Sequence, residues 1–507
     1  MRSAVLAGLW LLCTQGAMAQ ELGLFEGQSD VGAVTPPGTA ANDAKSGTYT
    51  ITAAGANVWA RVDAFHYVWK KLTGDAVLTA DVAFPAAAYS HPPAEHRKAM
   101  LMFRQTLDPG AQQVSIHVHG IGMTALQHRA QRGANTQSIE LNIDSLPRTV
   151  RLEKRGDSFT LFLSRKGEPL HAVGASLKLH FAEPFYVGLG VTSHDADTTD
   201  KILFRNVTLQ TLPPAPPPSD LVLNSTLQIL QIEDGARRAA VIWTGAGRMN
   251  SPNWMPGQKN IYVYKEGQIL RMPLLDPLNG GAPEVVETGG LVDCVGDYGV
   301  APDGKSIALS CAETKGGIRN LYVLPFGGAA RRLTQGLPSF FHGWSADGTT
   351  LLFTRGKAAA ADFFSVPAAG GPEKRLTSDT LQDGPEFAAD GKTIYFDSSR
   401  SGSSQIWRMN ADGTGAVQIT DDGMQDQSPH VSPDGSFVAW LQMKPGGGAG
   451  VQDASIQLLS VKDGAIRTLC SFQGNRGSFT MPVWGDNNHL ALVSYQMLPA
   501  NDNGATQ

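Results

Sequence analysis

Apolar and polar residues alternate along much of this chain in short runs, and turn-forming residues separate the runs. Before the proline-rich stretch at residue 213, the runs mix β-branched and aromatic residues with polar ones. The clearest examples are Ala76–Phe84, Val114–His119, Ser158–Ser164 and Phe185–Thr192. A period of two marks a half-buried strand. Strands without intervening helices predict a sandwich or jelly roll for this part of the chain.

A sequence repeat occupies the chain after the proline-rich stretch. Its Asp-Gly turns place Asp303, Asp347, Asp390 and Asp434 at intervals of 44, 43 and 44 residues, and Asp486 follows after 52. Each turn is followed by an apolar strand and then by further short strands. Four strands in about 44 residues correspond to one propeller blade. The Asp-Gly pair suits a tight hairpin turn, because glycine readily adopts a positive φ and aspartate tolerates it.

The two ends of the repeat region complement each other. Trp484–Gln496 supplies the first two strands of a blade, and Leu223–Trp243 reads as the missing last two. Pairing these segments in one sheet would remove the exposed edges of the first and last blades. We therefore expect a six-bladed propeller in which one blade is shared by both ends of the domain.

Composition and charge favour an exported protein that does not bind nucleic acid. The apolar run Ala4–Leu12, followed by Ala17-Met18-Ala19, predicts a signal peptide cleaved near Ala19. No later apolar run is long enough for a transmembrane segment. The formal net charge of −5 argues against a nucleic-acid partner. The predicted localisation is periplasmic or secreted.

A proline-rich linker sets the predicted domain boundaries. Residues 213–218 read PPAPPP, which forms a stiff extended connection. Because such a linker implies few contacts between the domains that it joins, we expect two separable units. The predicted organisation is a signal peptide (1–19), a β-sandwich (20–212), the linker (213–220), the propeller (221–498) and a flexible tail (499–507).

Three cysteines follow the predicted signal peptide, namely Cys294, Cys311 and Cys470. An exported protein can form disulfides. Cys294 and Cys311 flank a predicted turn and are placed to meet across a hairpin. Three buried thiols, acting as small apolar residues, are the equal alternative, and the sequence leaves both open.

Polar residues recur just before the Asp-Gly turns, on the predicted innermost strand of each blade. Such positions line the central channel of a propeller, where side chains from several blades converge on one axis. We expect them to bind a polar ligand, although a wide channel filled with water also tolerates polar residues. The candidate ligand-binding residues are Asn253, Asp297, Tyr298, His342, Asp383, Glu386, Gln427 and His430.

Histidines of the first domain form a smaller candidate site. His117 and His119 are two residues apart on a predicted strand, so their side chains face the same side. Together with His128 they would supply three imidazole ligands for a metal ion. The alternative is that they are surface or hydrogen-bonded histidines.

The repeats resemble a known family. GVAPDGKSIALS, EFAADGKTIYFDSSRSGSSQIWRMNADG and HVSPDGSFVAWL resemble the WD40-like propeller repeats of the Tol-Pal translocation protein TolB, over roughly residues 221–498. Phe185–His194 resembles concanavalin-like sandwich domains, which often bind glycans. These resemblances imply an all-β protein with a jelly-roll or concanavalin-like sandwich before a six-bladed TolB-like propeller. They also imply non-enzymatic binding, either of a glycan or of a cell-envelope protein on an interaction scaffold.

A further resemblance implies an enzyme instead. Oligogalacturonate lyases are propellers that hold a divalent metal with three histidines and one glutamine, and His342, His430 and Gln427 are the matching residues here. Imidazole and amide ligands suit manganese or zinc. The alternative function is therefore a metal-dependent polysaccharide lyase or hydrolase with its site in the channel. Under the binding interpretation, we expect neither a cofactor nor enzymatic activity.

Overall fold

The computed structural model describes residues 22–85, 94–141, 146–165, 169–213, 218–232, 238–275, 279–356, 361–378, 382–446, 450–481 and 483–499. Its regular structure is β-strand except for two short 3₁₀ helices, η1 (Pro218–Asp220) and η2 (Arg476–Ser478). This part of the chain contains no helix with the length and apolar character needed to cross a membrane. The predicted signal peptide, the centre of the linker and nearly all of the predicted tail lie outside the described residues.

Within the described residues before the linker, sixteen strands form two main antiparallel layers. The strands are β1 (Gly27–Val31), β2 (Thr39–Asp43), β3 (Thr48–Gly55), β4 (Val58–Trp59), β5 (Val62–Asp63), β6 (Phe65–Leu72), β7 (Ala76–Ala83), β8 (Lys98–Arg104), β9 (Gln113–His119), β10 (Thr124–Arg129), β11 (Gln137–Leu141), β12 (Thr149–Arg155), β13 (Ser158–Ser164), β14 (His171–Lys178), β15 (Phe185–Thr192) and β16 (Asp195–Thr211). Sheet I begins in the order β1-β6-β15-β8-β9-β10-β11, and sheet II runs β14-β13-β12-β7-β16-β3-β2.

A hydrophobic core lies between the two sheets. Leu101 and Ile116 from sheet I pack in one cluster with Leu152, Phe159 and Phe204 from sheet II, and all five are almost fully buried. The intervening residues of β8 and β9 point to the opposite face of sheet I, as the alternation of a strand requires. The predicted two-layer sandwich is therefore present.

The regular structure after the linker consists of short β-strands, apart from η2. They are β17 (Leu221–Gln231), β18 (Arg238–Ala246), β19 (Met249–Asn253), β20 (Asn260–Lys265), β21 (Gln268–Leu275), β22 (Asn279–Gly280), β23 (Glu284–Val285), β24 (Tyr298–Val300), β25 (Ser306–Cys311), β26 (Asn320–Pro325), β27 (Arg331–Arg332), β28 (Ser339–Trp344), β29 (Thr350–Arg355), β30 (Asp362–Pro367), β31 (Lys374–Arg375), β32 (Gln382–Phe387), β33 (Thr393–Ser398), β34 (Gln405–Asn410), β35 (Val417–Gln418), β36 (Gln425–Val431), β37 (Phe437–Met443), β38 (Gln452–Ser460), β39 (Ile466–Gly474) and β40 (His489–Pro499).

Five separate sheets form propeller blades among the described residues. Blade 1 contains β19–β23, and blades 2 to 5 contain β24–β27, β28–β31, β32–β35 and β36–β39. The first strands of blades 2 to 5 contact one another in turn, so they line the centre of the arrangement. The propeller predicted from the repeat is thus confirmed, whereas the predicted count of six separate blades is not.

The segments predicted to form a sixth blade belong to a larger sheet. As predicted, β17 pairs with β40, from Leu221 opposite Pro499 to Gln231 opposite His489. However, β18 also pairs in parallel with β11 of the sandwich, so sheet I continues through β18, β17 and β40 and has ten strands. We call these three the junction strands. Their outer edge is covered by the sandwich and is not left exposed.

The junction strands also change the expected relation between the two domains. The linker had suggested few contacts, but β11 and β18 share backbone hydrogen bonds and Lys178 Nζ lies 2.6 Å from Asp453 Oδ1. Phe162 and Ala172 of the sandwich form a small apolar cluster with Leu498 of β40. The expectation of few contacts is therefore wrong. A stiff linker restricts only its own residues and does not prevent the two domains from packing against each other.

The Asp-Gly turns have the predicted conformation. Gly304 has φ +70° and Gly435 has φ +73°, in the left-handed region that glycine adopts without strain. The preceding aspartates stabilise the turns, since the Lys305 N–H donates to Asp303 Oδ1 at 2.9 Å and the Ser436 N–H donates to Asp434 Oδ1 at 2.9 Å. A disulfide joins Cys294 and Cys311 beside one such turn, which decides between the two alternatives for this pair. Cys470 is outside that disulfide.

Candidate ligand-binding site

A cavity of about 430 Å³ opens where the first strands of the blades converge. Three of the predicted residues, Asp297, His342 and Asp383, line it, and Arg476 joins them. We call these four residues the channel-mouth cluster. The remaining wall includes Asn250, Ser251, Tyr264, Phe340, Thr354, Ser428 and Thr480.

Asp383 is the centre of the channel-mouth cluster. Its carboxylate accepts a hydrogen bond from the Arg476 guanidinium and lies 3.3 Å from His342 Nε2. Although burial acts in the opposite direction, the charge of Arg476 holds the pKa of Asp383 below its usual value. The side chain of Arg476 is 43% exposed, against 22% for Asp383 and 7% for His342. Arg476 is therefore the most exposed of these three side chains.

Arg476 comes from outside the repeat and was missed by the sequence analysis. It lies in η2, between the last strand of blade 5 and the start of the closing segment. The Ser478 hydroxyl accepts from the Asn475 N–H at 3.1 Å, which fixes this short turn at the channel. Only the interval of 52 residues before Asp486 signalled an irregularity there, and it does not identify an arginine.

Two other carboxyl groups near the cavity hold their protons more tightly than usual. Burial raises the pKa of Asp297 to about 7, and the Asp383 charge adds to this, while Arg476 and Arg319 oppose it. Burial likewise raises the pKa of Asp397 to about 7, with Arg476 opposing. Asp397 lies opposite Asp383 in the register of β32 and β33. The channel-mouth cluster therefore contains one aspartate with a lowered pKa and one with a pKa of about 7, and Asp397 lies beside it.

His342 is a neutral member of the cluster. Burial lowers its pKa to about 4, although the Asp383 carboxylate acts in the opposite direction. Its Nε2 atom also lies 3.0 Å from Thr354 Oγ1. An uncharged imidazole beside an Arg–Asp pair offers hydrogen bonding without a further charge, so the site suits a ligand with several polar groups.

Two predicted residues connect neighbouring blades and do not line the cavity. The Val300 N–H donates to Asn253 Oδ1 at 3.0 Å, and the Tyr298 hydroxyl donates to the Ser251 carbonyl oxygen at 2.7 Å. Both side chains are nearly inaccessible to solvent. Their polar atoms therefore bind the backbone of the adjacent blade.

Glu386 and His430 form a second inter-blade connection. Glu386 accepts hydrogen bonds from the Val431 N–H at 3.0 Å and from His430 Nδ1 at 2.6 Å. His430 Nε2 lies 3.1 Å from the Phe479 carbonyl oxygen. Both imidazole nitrogens therefore have protein partners, and neither residue belongs to the described wall of the cavity.

The structure does not bring the predicted metal ligands together at the cavity. Of His342, His430 and Gln427, only His342 is among the described lining residues, and Gln427 is paired with Leu441 in the sheet of blade 5. Within the described ranges, no group of three or more His, Cys, Asp or Glu side chains has an arrangement that could hold a metal ion. Manganese or zinc binding stays a prediction.

The three sandwich histidines are separated by sheet I. His128 lies opposite Val114 in the register of β9 and β10, and Val114 faces the core, whereas His117 and His119 face the other side. Instead, the ring centroid of His119 lies 5.4 Å from that of His96, which lies 5.4 Å from that of His194. The predicted three-histidine site is wrong, because His128 faces the core side of sheet I while His117 and His119 face the opposite side.

Comparisons with known proteins agree with the propeller. The TolB beta propeller domain family matches residues 340–494. The solved structure of a putative TolB from Agrobacterium tumefaciens is 33% identical, with a TM-score of 0.50, and the match covers 54% of this chain and 99% of that one. The TolB structure from Acinetobacter baumannii is 16% identical, with a TM-score of 0.35, over 70% of this chain and 79% of that one.

A curated relative covers a shorter region. An uncharacterized protein from Agrobacterium fabrum is 34% identical over 146 residues, which are 28% of this chain and 47% of that protein. The match thus spans about half the length of the curated relative. The family match and the Agrobacterium tumefaciens structure support a TolB-like propeller and identify no ligand.

Proposed function

Because the chain belongs, through its C-terminal half, to the family of TolB-like β-propeller proteins, we propose that it acts by non-enzymatic binding at the propeller channel. The partner is a cell-envelope protein, of which a polar segment enters the channel mouth. The observation that carries this proposal is the Arg476–Asp383 pair facing a cavity of about 430 Å³. The protein would act in the periplasm or outside the cell, after removal of the predicted signal peptide.

The chemistry of the channel mouth supports a polypeptide ligand. A guanidinium, an ionised carboxylate and a neutral imidazole lie within one cavity, together with the aromatic side chains of Phe340 and Tyr264. A peptide offers matching carbonyl, amide and charged groups at short intervals. Charge-assisted hydrogen bonds to such groups give orientation as well as affinity.

We also propose a finer description of the fold. The junction strands act as the sixth blade, since Trp484 forms a bridge with Leu490 at the inner side of β40. Trp484 Nε1 donates to the His430 carbonyl oxygen, just as Trp344 Nε1 donates to the Gly299 carbonyl oxygen between blades 2 and 3. The sandwich is proposed to be concanavalin-like, and the domain boundaries at residues 213–220 are retained as part of this proposal.

Photocrosslinking in intact cells tests the binding function. A photoreactive amino acid at Phe340 should form an adduct with an envelope protein, which mass spectrometry then identifies. The same amino acid at Val461, an exposed residue outside the cavity, is the positional control. Arg476→Ala should abolish the Phe340 adduct, whereas Arg375→Ala, which alters an exposed arginine of blade 3, should retain it.

Two results would change this conclusion. If no Arg476-dependent adduct forms, and the purified protein instead gives an Arg476-dependent signal on a glycan array, the ligand is a glycan. If neither assay depends on Arg476, the channel mouth is not a binding site. Asp297, with its pKa near 7, is the observation that favours acid–base chemistry and hence the enzymatic alternative. Release of unsaturated oligosaccharides from polygalacturonate, lost in Asp297→Asn, would support a lyase.

A further inference from the structure

A second cavity, of about 340 Å³, lies between the sandwich and the propeller. Its walls come from β10, β11, β13 and β14 of the sandwich, from the junction strands and from β39. We call it the junction cavity. No described residue lines both this cavity and the channel mouth. Small-molecule pockets have volumes of about 300–1,000 Å³, so the junction cavity suits a small ligand.

Much of the wall of the junction cavity is apolar. Leu177 and Leu179 approach from β14 and the residues after it, and Leu469 and Phe472 approach from β39. Leu230 and Leu492 of the junction strands add further carbon surface. A ligand held here must therefore offer carbon–hydrogen groups to several of its neighbours.

Uncharged polar side chains are set into the same wall. They include His128, Gln137, Gln228 and Ser494, and the Gln228 amide donates to Ser494 Oγ at 3.1 Å. His128 Nδ1 is buried and has no hydrogen-bond partner among the described residues. Burial lowers the pKa of His128 to about 4, so its imidazole is neutral at pH 7. The His128 ring therefore adds a polar but uncharged surface to the wall.

The charged residues of the described wall are already paired. Lys178 Nζ lies 2.6 Å from Asp453 Oδ1, and Arg238 Nε lies 3.8 Å from Glu140 Oε1. Both cations are about half exposed, with side chains 43% and 50% accessible. A charged ligand would have to compete with these existing partners for a counter-ion, and burying a charge is costly, so we expect the cavity to favour neutral ligands.

We propose that the junction cavity binds a neutral monosaccharide or a sugar unit of that size. A pyranose ring presents carbon–hydrogen groups from its faces and hydroxyl groups from its edge, which matches leucine and phenylalanine beside imidazole, amide and hydroxyl groups. Because both domains contribute to the wall, an occupied cavity stabilises their mutual arrangement. This site is independent of the proposed channel-mouth function.

Ligand-observed NMR and calorimetry with the full chain test the proposal. The probes are glucose, galactose, mannose and N-acetylglucosamine, and glucuronate serves as the charged counterpart. At least one neutral sugar should bind saturably, with glucuronate at least tenfold weaker. Gln228→Leu, which keeps the approximate side-chain volume but removes the amide, should weaken the neutral sugar at least tenfold. Gln418→Leu, on the outer strand of blade 4, should leave the affinity unchanged.

Two further measurements keep the test decisive. Ser176→Leu fills the junction cavity from β14 and should also weaken binding, so the result does not depend on the folding of Gln228→Leu. Cys470 lines the cavity, and the bound sugar should slow its alkylation, which mass spectrometry of the Cys470 peptide follows. The proposal is overturned if no neutral sugar binds, if glucuronate binds equally well, or if both cavity variants bind like the unchanged protein.

Discussion

Two Arg–Asp clusters in this protein use similar side chains in different surroundings. In the sandwich, Asp63 binds Arg104 and Arg129 with nitrogen–oxygen distances of 2.6 to 2.8 Å, and all three side chains are inaccessible to solvent. In the propeller, Asp383 binds Arg476 beside an open cavity. The first cluster is enclosed, and the second is accessible.

The difference lies in how the remaining hydrogen bonds are used. Arg129 also donates to the carbonyl oxygens of Ala60, Ala111 and Ala134, so its guanidinium holds several chain segments together. The side chain of Arg476 is partly exposed, and it lines a cavity that a ligand can enter. An Arg–Asp pair therefore indicates a binding site only where the arginine retains accessible donors.

The largest expected effect is the loss of Asp63. Asp63→Ala leaves two buried guanidinium groups without their shared counter-ion, and breaking a buried ion pair in this way costs about 3–5 kcal/mol. Chemical denaturation should show this decrease in the free energy of unfolding. Asp421→Ala, at an exposed position, is the control and should stay within about 0.5 kcal/mol. An equally small effect of Asp63→Ala would show that the enclosed cluster is not structural.

The Glu386–His430 pair tests whether a buried polar pair inside the propeller also contributes to stability and not to ligand binding. Glu386→Ala removes the acceptor of the Val431 N–H and of His430 Nδ1, and leaving buried donors unsatisfied costs about 1–3 kcal/mol each. We expect a lower melting temperature with little change in ligand binding at the channel mouth. Loss of binding at unchanged stability would place Glu386 in the binding site instead.

Substitution of Arg476 should affect ligand binding much more than stability. Its ion pair with Asp383 is partly exposed, so its loss should cost less than the roughly 3–5 kcal/mol expected for a fully buried pair. Arg476→Gln should therefore decrease the free energy of unfolding by less than Asp63→Ala does, while it removes the crosslinked adduct. A decrease in stability as large as that of Asp63→Ala would show that Arg476 has a structural role, as the enclosed cluster does.

The remaining expected effect is a change in the pH dependence of stability. The pKa of Asp297 is about 7 in the folded protein, above its usual value of 3.8. Its contribution is fully present below about pH 4 and is lost as the pH rises through about 7. Asp297→Asn cannot ionise, so its melting temperature relative to the unchanged protein should be higher at pH 8 than at pH 5.

Asp347 provides the contrast for that measurement. Hydrogen bonds from Ser345 and Thr349 lower its pKa, so its contribution is present at neutral pH and is lost as the pH falls through its folded value. Asp347→Asn should therefore lose stability relative to the unchanged protein at neutral pH, and the difference should shrink in acid. The same pH response for both variants would contradict the assignment of Asp297 to a buried, charge-disfavouring site.

The sequence by itself determined the features that local geometry controls. Strand alternation identified the sandwich, and the interval between Asp303, Asp347, Asp390 and Asp434 identified the blades. The Asp-Gly turns fixed where each hairpin reverses, because the positive φ is a property of the turn residues themselves. The pairing of the two ends of the propeller domain also followed from counting strands.

Tertiary structure alone decided which polar residues face open space. Asn253, Asp297, Glu386 and His430 precede their turns in similar ways, yet only Asp297 lines the channel mouth, because inter-blade hydrogen bonds occupy the others. Arg476 reaches the site from a segment outside the repeat, and the junction of β11 with β18 joins residues about a hundred positions apart. Contacts of this kind depend on how sheets and blades meet in space, which no local pattern records.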